Sequence, residues 1–159
     1  MNIKEIIIET DNIDWNHILK HWSWLFDHET AFNIWILNKF GDLFVHMDDD
    51  SIWHLDTGAG LFEPVAKNKD HFAELIDKED NFDIWFMPEL VSQLEANGKK
   101  LKMNQCYGFI TPTGFKEGSY SVENIEIFDI ERYFVAMGDL WNRLQKVEDA
   151  TTVKLNFKD

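Results

Sequence analysis

What this 159-residue chain lacks sets its first bounds. With one cysteine, Cys106, it can form no internal disulfide and build no multi-cysteine metal cluster. No window approaches the roughly 20 apolar residues that a membrane span requires. The opening MNIKEIIIETDNID lacks both the basic start and the apolar run of a secretory signal, so the expected location is the cytoplasm, with no membrane partner. Positive charge is scarce: 15 lysines and arginines face 29 aspartates and glutamates, a formal net of -14. Such a balance argues against direct binding to nucleic-acid phosphates. No repeat, low-complexity tract or linker interrupts residues 1–159, which read as one globular domain.

Signatures of catalysis are equally thin. Gly58-Ala59-Gly60 runs into Leu61-Phe62-Glu63, so the third glycine of a dinucleotide-binding loop is missing, and no serine stands in a nucleophile elbow. Asp56-Thr57-Gly58-Ala59 spells the catalytic loop of an aspartic protease. That chemistry needs two carboxylates sharing one proton. A second copy, a glycine-rich flap and a bracing apolar-apolar-Gly strand are all missing, and the segment reads instead as a turn after a strand, with Asp56 bonding the backbone beyond it. His17 and His21 are spaced one helical turn apart, but HILKH has no catalytic glutamate and no third ligand nearby, so a solvated helix face is expected. Asp48-Asp49-Asp50 lacks the alternating ligands, central glycine and closing glutamate of a calcium loop and reads as a hairpin turn. Cys106, in QCYGFI, reads as a small buried apolar residue. The expectation is no catalytic residue, no metal and no cofactor.

The chain is rich in core material, 45% hydrophobic and 14% aromatic. A helix is expected from about residue 11 to 27, capped by Asp11, with Trp15, Ile18, Leu19, Trp22 and Phe26 inward. Trp24 falls on its polar face, where an aromatic side chain can anchor a partner. FNIWILN, DLFVHM and SIWHLD read as strands, the last two joined by the three aspartates. Beyond LFEPVAKNK, Asn68 caps one helix and Pro88 opens another that ends at Asn97-Gly98; NFDIWFM links the two. QCYGFI and ENIEIFDI read as strands, Asp129 as the cap of a long final helix, and TTVKLNF as an edge strand. The fold class is α+β: a mostly antiparallel sheet, built from residues near 33–56 and 106–128, with the first and last helices packed on it.

The acidity is uneven. Residues 40–97 hold 14 acidic residues against three lysines, whereas residues 98–159 are balanced. A surface of this kind attracts a basic partner, and Asp48, Asp49, Asp50, Asp77, Glu79, Asp80 and Asp83 are its expected contacts, with Trp24 as a buried anchor.

The order of segments carries a resemblance. FGDLFVHMDDDSIWHLDTGAG, then WFMPELVSQLEANGKKLKMNQCYGFITP and GSYSVENIEIFDI, resemble a bacterial domain family, and the resemblance covers about residues 34–155. It includes the C-terminal part of immunity proteins that protect type VI secretion bacteria from their own DNase effector. The resemblance implies a non-catalytic protein that binds and neutralises a cognate toxin, expected to be a basic nuclease. A general interaction or regulatory domain is the alternative, and a small hydrolase using Asp56, or His17 with His21, is a third reading.

Overall fold

The computed structural model describes residues 2–26 and 31–146. The side chain of Glu79 and the segment TTVKLNF lie outside the described residues. Five strands make an antiparallel sheet in chain order: β1 (Ile7–Ile8), β2 (Phe32–Asn38), β3 (Leu43–Met47), β4 (Ile52–Asp56) and β5 (Leu61–Ala66). Both faces of this sheet are buried, because successive side chains of a strand point to opposite sides. On β3, Leu43, Val45 and Met47 join one core with Leu55, Ile18, Trp22, Phe134 and Met137, while Phe44 joins a second with Ile6, Ile52, Phe72 and Phe86.

The first core is roofed by α1 (Trp15–Leu19), which continues as a 3-10 turn through Trp22, and by α5 (Ile130–Leu144). The helix expected from residue 11 starts later: Asp14, not Asp11, accepts the His17 amide at 3.1 Å. Trp22 is fully buried, and its indole N–H donates to the carbonyl of Phe134 at 2.9 Å. The second core is covered by α2 (Lys69–Ile76) and α3 (Glu79–Phe86). The structure thus turns NFDIWFM from a link into helix, and LFEPVA from a connection into β5, whose Pro64 is tolerated because the strand is an edge. Asn68 caps α2, Pro88 opens α4 (Pro88–Ala96) and Asp129 caps α5, as their local chemistry predicts.

Among the described residues the strands β6 (Gln105–Phe109) and β7 (Ile125–Asp129) pair only with each other, as a second sheet rather than an extension of the first. They are tied to the β2–β3 region by a hydrogen bond from the Tyr107 amide to the carbonyl of Lys39 at 2.8 Å, by Phe40, whose ring lies against Tyr107 and Phe109, and by Cys106 and Phe128, which pack with the first core. Phe40 caps a third core, with Val91 and Leu94 of α4 and Ile125 of β7. The molecule is a single α+β domain whose described strands form two antiparallel sheets, where the sequence pattern predicts one.

Candidate partner-binding site

The Asp-Thr-Gly segment forms a structural knot. The Asp56 carboxylate accepts the Ala59 amide at 3.0 Å, and Gly60, at φ +69°, closes the turn by donating to the Asp56 carbonyl at 2.8 Å. Thr57 is fully buried: its amide donates to Asp42 Oδ1 at 3.1 Å and its hydroxyl to the Gly41 carbonyl at 3.1 Å. Asp42 belongs to the β2–β3 turn, which Asn38 organises by accepting the amides of Phe40 and Asp42, both at 2.9 Å, while donating to the Trp85 carbonyl at 2.9 Å.

A titratable cluster lies inside this frame. His54 stacks on Phe44, and its buried Nε2 has no hydrogen-bond partner among the described residues; Asp42 Oδ2 is 3.7 Å away, an ion-pair separation too long for a hydrogen bond. Burial, and then the charge of Asp42, push the Asp56 carboxyl up to about 6. For His54, burial opposes the cation, but the carboxylates of Asp42, Asp56 and Glu63 outweigh it and raise its pKa. Burial pushes the Cys106 thiol up as well, so it is held as a neutral core group.

His17 and His21 have ring centroids 5.8 Å apart, and His21 Nδ1 pairs with Asp139 at 2.8 Å. Among the described residues no group of three or more His, Cys, Asp or Glu side chains is placed to hold a metal ion.

The expected contact residues fall at three places. Asp48, Asp49 and Asp50 form the exposed β3–β4 turn; the Ser51 hydroxyl and amide hold Asp49 below the usual carboxylate range, and Asp50 takes φ 72°. Asp77, Asp80 and Asp83 are exposed along the α2–α3 hairpin. Trp24 is half-buried over the first core, stacked on Trp22, with its N–H donated to the carbonyls of His21 (3.1 Å) and Gly138 (3.2 Å). What it can offer a partner is therefore ring surface, not the N–H. It packs on the sheet face opposite the one that α2 and α3 cover.

One concave feature gathers residues that sequence spacing does not single out. A groove of about 590 Å³ opens beside the elbow between α3 and α4. Of the residues that line it, Met87, Pro88 and Leu90 are half-buried and make its apolar floor, and the exposed Ile84, Tyr120, Asp83, Glu89 and Gln93 make its outer part. Ile84 is 67% exposed and Tyr120 56%. Met87 makes the elbow alone by adopting the left-handed conformation (φ 48°, ψ 54°), and Pro88 then starts α4 with φ already set. The loop carrying Tyr120 is stapled by Asn124, which exchanges two 2.9 Å hydrogen bonds with the Thr111 backbone and donates to Ser119 O at 2.8 Å. Tyr120 and Asn124, the two residues that shape this wall, belong to the segment GSYSVENIEIFDI, whose resemblance to an immunity family was legible in the sequence.

Residues 66–141 match the family model described as T6SS immunity protein Tdi1, C-terminal. The match agrees with the resemblance carried by the sequence segments, and it contains every residue that lines the groove. Trp24 and the Asp48–Asp50 turn precede it. No curated protein matches the chain. Among the described residues, no helix is long and apolar enough to cross a membrane.

Proposed function

We propose, from the premise that residues 66–141 match a type VI secretion immunity family, that this protein binds and neutralises a cognate toxin effector, a nuclease, without turnover of its own. The match is the observation that carries the reading. The charge distribution supports a nuclease target: an enzyme that holds DNA presents a basic surface, and a strongly acidic inhibitor meets it quickly by electrostatic steering. Steering is assigned to the exposed carboxylates Asp48, Asp49, Asp50, Asp77, Asp80 and Asp83, and the accessible ring of Trp24 is proposed as a separate contact. Because a nuclease acts on DNA inside the cell, protection is placed in the cytoplasm. The half-buried Asp56 and His54 serve the fold in this reading and do no chemistry.

The test is co-expression of the chain with each nuclease-type effector domain encoded in its own genome, followed by growth and chromosomal DNA integrity. One domain should become harmless, through a stable complex, and Asp56→Asn should protect as well as the native chain. Failure to protect against any of them, or protection without complex formation, would overturn the reading.

A further inference from the structure

We propose that the groove beside the α3–α4 elbow is where the effector seats a basic segment, a loop or helix carrying lysine or arginine next to apolar side chains. The proposal rests on the immunity reading and goes further by naming the surface and the chemistry of what fills it.

Exposed apolar residues scattered over a surface need no explanation, but Ile84 and Tyr120 line one and the same concavity, over an apolar floor of Met87, Pro88 and Leu90. Both walls are fixed in advance. Left-handed Met87 sets the angle of the elbow, and the Asn124 staple sets the loop that presents Tyr120. A preformed surface loses little freedom when a partner seats on it, which favours affinity.

The polar groups decide the occupant. The charged groups lining the groove are the carboxylates of Asp83 and Glu89, both exposed at the rim; none of the lining residues is a lysine or arginine. A lysine or arginine laid across the floor keeps its methylene stem on Leu90 and Met87 and its cation between those carboxylates. A second copy of this chain would instead set carboxylates against carboxylates in a protein of formal net charge -14. A small ligand is disfavoured because the polar lining stands at the exposed rim, with no buried polar groups converging on the interior.

The experiment uses the full chain and, as probe, an inactive form of the effector domain whose toxicity the chain suppresses. Binding kinetics are measured at two ionic strengths for the native protein, Ile84→Arg, the double variant Asp83→Asn with Glu89→Gln, and Met103→Arg as a control at an exposed apolar site outside the groove. Ile84→Arg should bind about 30-fold more weakly, mainly through faster dissociation, as when a central contact is lost. The double variant should associate several-fold more slowly at low salt and lose much of its salt dependence. Met103→Arg should bind like the native chain. Unchanged thermal unfolding of Ile84→Arg confirms that the effect is on the surface; if that variant misfolds, the double variant decides. Native-like binding by the decisive variants overturns the groove and leaves the immunity reading intact. A native chain that binds no effector domain overturns both. A dimer of the native chain that Ile84→Arg dissolves assigns the groove to a second copy and overturns the proposal.

Discussion

The indole N–H of Trp141 donates to the carbonyl oxygen of Thr57 at 3.1 Å, tying the last helix to the turn after β4. The same ring lies over Gly60, where an added Cβ would stand 2.5 Å from Trp141 Cγ. Gly60→Ala meets both a left-handed backbone, φ +69°, and this clash, so it should cost about 2–4 kcal/mol in urea unfolding. Gly98→Ala is the matched comparison: φ is +83° but nothing lies within 4 Å, so only the conformational penalty of about 1 kcal/mol is expected. Equal losses at the two positions would show that the Trp141 contact contributes nothing.

Asn38 is the buried organiser of the β2–β3 turn. Asn38→Leu keeps the branched shape but leaves the amides of Phe40 and Asp42 without their acceptor, and the Trp85 carbonyl without a donor. Unpaired buried amides of this kind should destabilise the protein by about 3 kcal/mol or more. The measurement is equilibrium denaturation, with loss of near-ultraviolet circular dichroism reporting the aromatic environment around Phe40.

Protons should stabilise this fold in mildly acidic solution. Folding raises the Asp56 carboxyl to about 6, above its ordinary value, so the folded state binds that proton more tightly and stability rises as pH falls from 6 toward 4. His54 acts in the same direction: its raised pKa contributes stability that is complete below its ordinary value and is lost as pH rises through its folded one. Asp56→Asn retains an oxygen for the Ala59 amide and removes the buried charge. It should gain roughly 2 kcal/mol at pH 8 and flatten the stability profile between pH 4 and 6. A loss of stability at pH 8 would mean that the ionised carboxylate is needed in the knot.

Replacing Asp48, Asp49 and Asp50 together with Asn removes three charges from one exposed turn. Association with the effector should slow and its salt dependence should flatten, with dissociation little changed. Stopped-flow mixing at two ionic strengths checks this. A native rate at low salt would place steering elsewhere, the acidic rim of the groove being the nearest alternative in kind.

The parts of the fold that were legible in the sequence are those set by neighbours a few positions away. Asn68, Pro88 and Asp129 announce α2, α4 and α5 because a cap acts on an amide three residues on, or on the first turn itself. Asp11 and Asp14 are equivalent by that criterion, and only the docking of α1 on α5 selects Asp14. Strand β5 was masked by Pro64 and Glu63, which read as a connection until β4 is there to pair with them. How β6 and β7 dock depends on contacts far apart in the chain, such as Phe40 against Tyr107 and Phe109, and local spacing carries no sign of them. Within the candidate site the acidic residues were visible as composition, and Asp83 does line the groove. Ile84 was not singled out: the sequence assigns Phe82, Trp85 and Phe86 to the core, as found, but spacing does not say that the residue left outside faces a groove shared with Tyr120.

The bond from Trp22 to the Phe134 carbonyl sets an order of events. Each strand of the main sheet pairs with its neighbour in the chain, and β2 to β5 can zip up hairpin by hairpin as the chain emerges. Its first core cannot close in the same way, since the roof over Trp22 and Ile18 is α5, residues 130–144. Until those residues have been made, a nascent chain carries an uncovered aromatic face and an indole N–H without its acceptor. The step that seals the domain therefore waits for α5, and a chain cut short before residue 130 should yield a sticky fragment that quality control removes.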